Sequence, residues 1–104
     1  MNYKTKIAKP VEVEINSWPL SRSARLELLN FLYMDLAADP AKYLAEQIVP
    51  FLDRFTCPFT LSPASAHIKS RTIIFFVRRV DEQKELHVIA ARFPLQPEEN
   101  NGGG

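Results

Sequence analysis

An alternation of apolar and charged residues marks the first predicted element. Residues 11–15 read Val-Glu-Val-Glu-Ile, the period of a strand with one buried face and one wet face. Pro10 precedes this run, and a proline without an N–H is tolerated at the start of an edge strand. We therefore predict an N-terminal edge strand over residues 11–15.

Helical spacing of apolar residues follows this strand. From about Ser21 to Ala38 the apolar positions recur three or four residues apart, with Ser21 available as the N-cap. Asp39-Pro40 signals a second helix start, and that helix should extend to residue 55 with a kink near Pro50. The sequence thus predicts a helical hairpin. The apolar stripe of its first helix contains Leu26, Leu28, Leu29, Leu32, Tyr33 and Leu36, and that of its second contains Leu44, Ile48, Phe51, Leu52 and Phe55.

The second half of the chain reads as strands. Cys57 to Leu61 suits a brief strand, and Arg71 to Val80 contains a run of β-formers typical of a central strand covered on both faces or nearly so. A turn at residues 81–84 joins it to an antiparallel partner over residues 85–93; without glycine, a longer loop built on a type I turn is expected. This order predicts an α+β fold, with an N-terminal strand, a helical hairpin and two or three antiparallel strands in one sheet.

Length and glycine content narrow the function classes. The 104 residues suit one domain, which we assign to residues 1–95, with a disordered tail over 96–104. The three glycines are the last three residues of the chain. P-loop and G-x-G-x-x-G nucleotide sites are thereby excluded, because both require glycine where the backbone approaches phosphate.

Cysteine and histidine are scarce. Cys57 is the single cysteine, so an intrachain disulfide and a cysteine-based zinc site are excluded, and we interpret it as a packed thiol. His67 and His87 are too few for a zinc site, and we predict no metal and no cofactor. With no signal peptide and no membrane span in the sequence, we expect a soluble cytoplasmic protein without membrane contact.

Positive charge is concentrated in the predicted strands. The net charge is only +1, yet no acidic residue occurs from Arg54 to Val80. This pattern fits either a solvated basic strand pair beside an acidic turn or a face that binds a polyanion. The basic residues of that region, with the arginine of the last strand, are Arg54, His67, Lys69, Arg71, Arg78, Arg79 and Arg92.

Pairing of the last two strands should bring two arginines together. Around a four-residue turn, residues whose numbers sum to about 165 face each other, which places Arg71 near Arg92. Arg78 and Arg79 should lie at the turn end, opposite residues 86 and 87. Guanidinium groups match phosphate geometry and stabilise charge that develops on it.

This hairpin resembles the closing hairpin of the RelE/ParE toxin superfamily. The run Arg71-Thr-Ile-Ile-Phe-Phe-Val, a polar turn, and Leu86-His-Val-Ile-Ala-Ala-Arg92 match a pattern in which each strand contributes one arginine. The resemblance covers roughly residues 10–93. Ser70 and Ala91 stand where that pattern has tyrosine and a basic or histidine residue, residues 57–61 carry none of the RelE lysines, and nothing aromatic follows Phe93.

The resemblance implies a small toxin neutralised by an antitoxin protein. In the RelE branch it implies a metal-independent endoribonuclease that cleaves mRNA on the ribosome; in the ParE branch the target is DNA gyrase. Arg71 and Arg92, with Lys69 and His67 as acid or base, are the predicted catalytic residues, and Arg54, Arg78 and Arg79 the predicted RNA-binding residues.

Other interpretations stay open. The alternative prediction is a non-catalytic interaction module that binds gyrase or an antitoxin through its helical hairpin or its sheet, with Leu28 and Leu32 as the expected contact face. A homodimer is compatible with either function. A carrier conjugated through the terminal glycines is the least favoured alternative, because the element order does not suit a ubiquitin-like fold.

Overall fold

The computed structural model describes residues 2–61 and 72–93. Four strands form one mixed sheet in the order β1-β4-β3-β2, and the helices precede β2 in the chain. The predicted α+β architecture is confirmed. The elements are β1 (Lys4–Ile7), α1 (Lys9–Ser17), α2 (Arg22–Asn30), a π-helical segment (Phe31–Asp35), α3 (Leu36–Ala38), α4 (Pro40–Tyr43), β2 (Arg54–Thr60), β3 (Thr72–Val80), a 3₁₀ turn (Asp81–Gln83) and β4 (Glu85–Arg92).

The predicted strand at residues 11–15 is wrong, because those residues lie in α1. Val11 and Ile15 are buried whereas Val13 is 58% exposed. An alternating run places i and i+4 on one side in a helix as well as in a strand, so the five residues alone fit both structures. The buried Trp18 extends the set to i+7, which is the helical spacing. The N-terminal strand is instead β1, upstream of Pro10.

The first predicted helix is confirmed from its N-terminus onward. Ser21 caps α2, since its side chain accepts a hydrogen bond from the Ala24 N–H at 3.1 Å. Leu28, Leu32 and Leu36 are fully buried, and together they form the helical side of the core.

The π-helical segment and α3 attach the helices to the N-terminal strand. The Thr5 hydroxyl donates to the Leu32 carbonyl at 2.6 Å, and the Tyr3 N–H donates to the Ala37 carbonyl at 2.8 Å. These bonds satisfy buried polar groups between a strand edge and the helix packed on it. β1 is thereby fixed beside β4, with which it pairs in parallel.

The second predicted helix is wrong beyond Tyr43. The following backbone runs along the free edge of β2, where the Ala45 N–H donates to the Thr56 carbonyl at 2.7 Å and the Ile48 N–H to the Arg54 carbonyl at 2.8 Å. Pro50 has no N–H for a helical hydrogen bond, and the strand edge supplies bonds that a helix would otherwise make. No kinked helix forms there.

β2 is longer than predicted and lies at the sheet edge. It begins at Arg54 rather than Cys57, so Phe55 belongs to a strand and not to a helix. The Thr56 N–H points away from β3 toward the Glu46 carbonyl, 2.8 Å away. Pro58 lies two residues further along and therefore has its missing N–H on the free edge, a position that discourages pairing with another strand.

β3 is an interior strand, as predicted, but only one of its faces is fully buried. Ile73, Phe75 and Val77 have no exposed surface and pack with the helical leucines. Ile74 and Phe76, which point to the other side, are half-buried. The helices thus cover one face of the sheet, and we call the opposite one the outer face.

The β3–β4 hairpin follows the predicted register near its turn. Val80 faces Glu85 and Arg78 faces His87, and Lys84 closes the turn with φ 55° in the left-handed region. The register shifts by one residue beyond Val77. Ile74 faces Arg92 as a result.

Several predictions lie outside the described residues. One is the placement of the predicted catalytic residues His67, Lys69 and Arg71. Another is the predicted disorder of the tail over residues 96–104. Within the described ranges, no helix has the length and apolar character that crossing a membrane requires.

Candidate functional site

The outer face of the sheet carries most of its basic side chains in a single row. Strand register places Arg54 beside Arg78, Arg78 beside His87, and His87 beside Lys6. One residue thus comes from each of the four strands, and with strand spacings of about 4.8 Å the row spans about 14 Å. We call Arg54, Arg78, His87 and Lys6 the basic row.

Two carboxylates hold parts of the basic row in place. Asp53 accepts a hydrogen bond from Arg78 Nε at 3.0 Å, and this bond is the main reason that the pKa of Asp53 is lowered. Glu85 contacts His87 Nε2 at 2.8 Å and Lys6 Nζ at 2.9 Å. The pKa of Glu85 is lowered mainly by the hydrogen bond from His87 and then by that from Lys6.

Arg54 differs from the other members of the row because no described carboxylate forms an ion pair with it. Its guanidinium carbon lies 4.0 Å from the centroid of the Phe51 ring, an arrangement that favours a cation–π interaction. Its Nε is buried and has no acceptor among the described residues. The charge of Arg54 helps to lower the pKa of Asp53, but the carboxylate hydrogen bond goes to Arg78.

His87 and Lys6 are members of the row that the sequence prediction omitted. The Glu-x-His spacing at residues 85–87 was a visible signal, because i and i+2 share a face in a strand. Lys6 had no such signal, since its place depends on the parallel pairing of β1 with β4. Among the described residues, no hydrogen-bond partner contacts the second ring nitrogen of His87.

Arg79 was predicted to bind RNA together with Arg54 and Arg78, but its side chain lies apart from theirs. It points to the other side of β3, where its Nε lies 2.7 Å from Asp81 Oδ1 and a terminal nitrogen donates to the Tyr3 hydroxyl at 3.1 Å. The hydrogen bond to Asp81 raises the pKa of Arg79 further. Arg79 therefore links the hairpin turn to Tyr3, the residue before β1.

Arg92 lies at the opposite end of the outer face from the basic row. Its side chain is exposed, it faces Ile74 across the hairpin, and no carboxylate in the described part of the chain pairs with it. Its predicted companions Arg71, Lys69 and His67 are outside the described residues. Their convergence on Arg92 stays a prediction.

The cysteine fits the predicted packed thiol. Cys57 has no exposed surface, and burial raises its pKa to about 12. A thiol in that state supplies almost no thiolate at neutral pH. Within residues 2–61 and 72–93, no group of three or more histidine, cysteine or carboxylate side chains is arranged to hold a metal ion.

The helical side of the molecule exposes a separate apolar area. Val13, Leu26, Tyr33 and Met34 are 58%, 57%, 45% and 61% exposed, and we call these residues the apolar helix surface. Of these residues, Tyr33 lines a groove of about 130 Å³, together with Ile7, Ile15 and Leu29. Leu28 and Leu32, the contact residues expected from sequence, are fully buried and unavailable to a partner.

Comparison with known proteins identifies the fold. No protein-family model matches the sequence, and no curated protein does. The toxin–antitoxin complex RelBE2 from Mycobacterium tuberculosis contains a chain that is similar in structure, with a TM-score of 0.69 and 11% identity over 92% of this chain and 95% of that one. The free E. coli toxin RelE, solved as a mutant, gives a TM-score of 0.61 and 16% identity over 98% of this chain and 93% of that one. The RelE-like fold predicted from the hairpin is therefore confirmed.

Proposed function

We propose that this chain is a RelE-type toxin of a toxin–antitoxin pair and that it cleaves mRNA on the ribosome without a metal ion. The observation that carries this proposal is the combination of a RelE-like fold over nearly the whole chain with arginines on the outer face of its sheet. Such a face can bind a phosphodiester backbone. Action on ribosome-bound mRNA would place the protein in the cytoplasm.

Cleavage in this proposal needs only groups of the chain and the substrate. The ribose 2′-oxygen attacks the adjacent phosphorus, and the bond from phosphorus to the 5′-oxygen breaks. The 2′-proton goes to a base, for which Lys69 and His67 are the candidates, and the 5′-oxygen takes a proton from water. Arg92 and Arg71 stabilise the negative charge that accumulates on the phosphoryl oxygens, which yields a 2′,3′-cyclic phosphate and a 5′-hydroxyl.

The proposed antitoxin contact is the apolar helix surface. Large apolar side chains exposed on a protein surface are candidate contacts for a protein partner, and the similar RelBE2 chain belongs to a toxin–antitoxin complex. An antitoxin bound there would cover the helical side of the molecule.

Induced expression in bacteria tests the activity. Wild-type protein should arrest growth, and Arg92→Ala should relieve the arrest because the transition-state charge loses a stabilising cation. Arg22→Ala, which removes an exposed arginine at the start of α2, is the matched control and should arrest growth like the wild type.

The alternative functions predict other results. Unimpaired growth with wild-type protein accumulating in the cell contradicts the toxin proposal. Arrest that persists in Arg92→Ala and in Arg71→Ala contradicts cleavage by these arginines and favours a non-catalytic module that binds gyrase or another target.

A further inference from the structure

An exposed apolar loop tip adjoins the basic row. Val49, Leu52 and Phe51 are 83%, 84% and 42% exposed. Phe51 also lies under the Arg54 guanidinium at 4.0 Å, so the ring is held at the edge of the outer face. Large apolar side chains clustered in water are unfavourable unless a partner covers them.

The chemistry of this edge matches one class of polymer. Proteins bind single-stranded nucleic acid by combining cations that contact phosphates with aromatic rings on which bases stack. RNA-binding sheets of four strands use the same plan, with helices on one face and aromatic residues on the other. A duplex offers phosphates but keeps its bases paired and stacked, so it cannot use an aromatic ring in this way.

We propose that Phe51 and the basic row form a subsite for single-stranded RNA. One base stacks on the ring of Phe51, and the adjoining phosphates contact Arg54 and Arg78. The inference rests on the proposed function, which supplies RNA as the polymer. The subsite adds an RNA-binding position at the end of the outer face opposite to Arg92, where cleavage is proposed.

The geometry of the outer face lets one strand of RNA reach both ends. Arg92 faces Ile74, which lies four residues before Arg78 on β3, a distance of about 13 Å along the strand. On the same face, the half-buried Ile74 lies beside Arg92, and the half-buried Phe76 lies between Ile74 and Arg78. A bound strand therefore runs from the subsite over an apolar floor toward Arg92.

The carboxylate partners decide how much each basic residue contributes. Arg54 has no described carboxylate partner, whereas Arg78 is hydrogen-bonded to Asp53, and Lys6 and His87 share Glu85. Asp53 competes with phosphate for Arg78, and removing its charge should strengthen RNA binding. A purely structural role for the Asp53–Arg78 pair predicts no such gain.

Fluorescence anisotropy with the full chain tests the subsite. The probe is a labelled, unstructured 2′-O-methyl RNA, in which the attacking hydroxyl is blocked so that cleavage cannot interfere. The single strand should bind more tightly than the same strand in a duplex. Phe51→Ala should weaken binding by about tenfold, whereas Leu52→Ala, the matched control at a neighbouring exposed position, should stay within about twofold and Phe51→Trp should retain the affinity.

The charged members give a second, independent measurement. Arg54→Ala should make the negative slope of log affinity against log salt shallower by about one, because one phosphate contact is lost. Asp53→Asn should raise affinity by about threefold, since Arg78 gains freedom and a nearby negative charge disappears. Thermal unfolding of each variant verifies that it is folded.

Three results would overturn the subsite: equal affinities for Phe51→Ala and Leu52→Ala, equal affinities for single strand and duplex, or no binding by the wild-type protein.

The proposed function fails separately. Single-strand binding that depends on Phe51, in a protein that neither arrests growth nor cleaves mRNA, retains the subsite and rejects the toxin. Cleavage of mRNA with unchanged RNA affinity in Phe51→Ala retains the toxin and rejects the subsite.

Discussion

Individual ion pairs on the sheet have a positioning role more than a stabilising one. The Arg78–Asp53 pair has both side chains nearly half exposed, at 47% and 43%, and pairs of this kind contribute little to folding because water screens them. They do restrict the arginine side chain to one place. Neighbouring Arg78 and Arg79 consequently differ in role, since one lies on the outer face and the other is bonded to Asp81 and Tyr3.

Acid stability tests the pair between Arg79 and Asp81. The hydrogen bond from Arg79 lowers the folded-state pKa of Asp81 below its usual value. The resulting stabilisation is present above the unfolded pKa and is lost as pH falls through the folded pKa. In thermal unfolding between about pH 5 and about pH 2, Asp81→Asn should therefore lose less stability than the wild type.

Glu82→Gln is the control for this measurement. Glu82 is an exposed neighbour in the same turn, and no described residue forms an ion pair with it. The stability that Glu82→Gln loses on acidification should be closer to the loss of the wild type than to the loss of Asp81→Asn. Identical acid curves for wild type and Asp81→Asn would show that the pair does not contribute.

At the scale of elements, the prediction succeeded for long patterns that end in a clear cap or turn, and it failed for the short run at residues 11–15 and for the second helix beyond Tyr43. The helix beginning after Ser21 and the β3–β4 hairpin could be predicted because their patterns extend over many residues and end in clear caps or turns. Residues 11–15 could not be assigned from alternation alone. The predicted second helix failed because the free edge of β2 offers hydrogen bonds to residues 45–48, and that edge exists only in the folded sheet.

Paired substitutions in α1 distinguish the helix from the predicted strand. Ile15→Ala should lower the free energy of unfolding by about 2–5 kcal/mol, because it leaves a cavity in the core. Val13→Ala should change it by no more than about 0.5 kcal/mol, since Val13 lies on the exposed side of the helix. Chemical denaturation measures both. In a strand the two residues would share one face, and similar costs for both would contradict the helix.

At the scale of the whole molecule, the site depends on pairings that join distant parts of the chain. The sequence prediction grouped Arg78 with Arg79 as RNA-binding residues, although the alternation of β3 would have separated them, because adjacent strand residues point to opposite faces. The hairpin register was sufficient to place His87 beside Arg78. The positions of Lys6 and Arg54 were not predictable, because they require β1 beside β4 and β2 beside β3. The sequence patterns had assigned Arg54 to a helix and Lys6 to no element.

The most direct test of the proposed function is to map the ends of mRNA in a translation reaction that contains the purified protein. We predict new 5′-hydroxyl ends within the translated region, formed in the presence of a chelator and absent when ribosomes are omitted or when Arg92→Ala replaces the wild type. Intact mRNA throughout the reaction, with the protein folded and present in excess over ribosomes, would contradict the account.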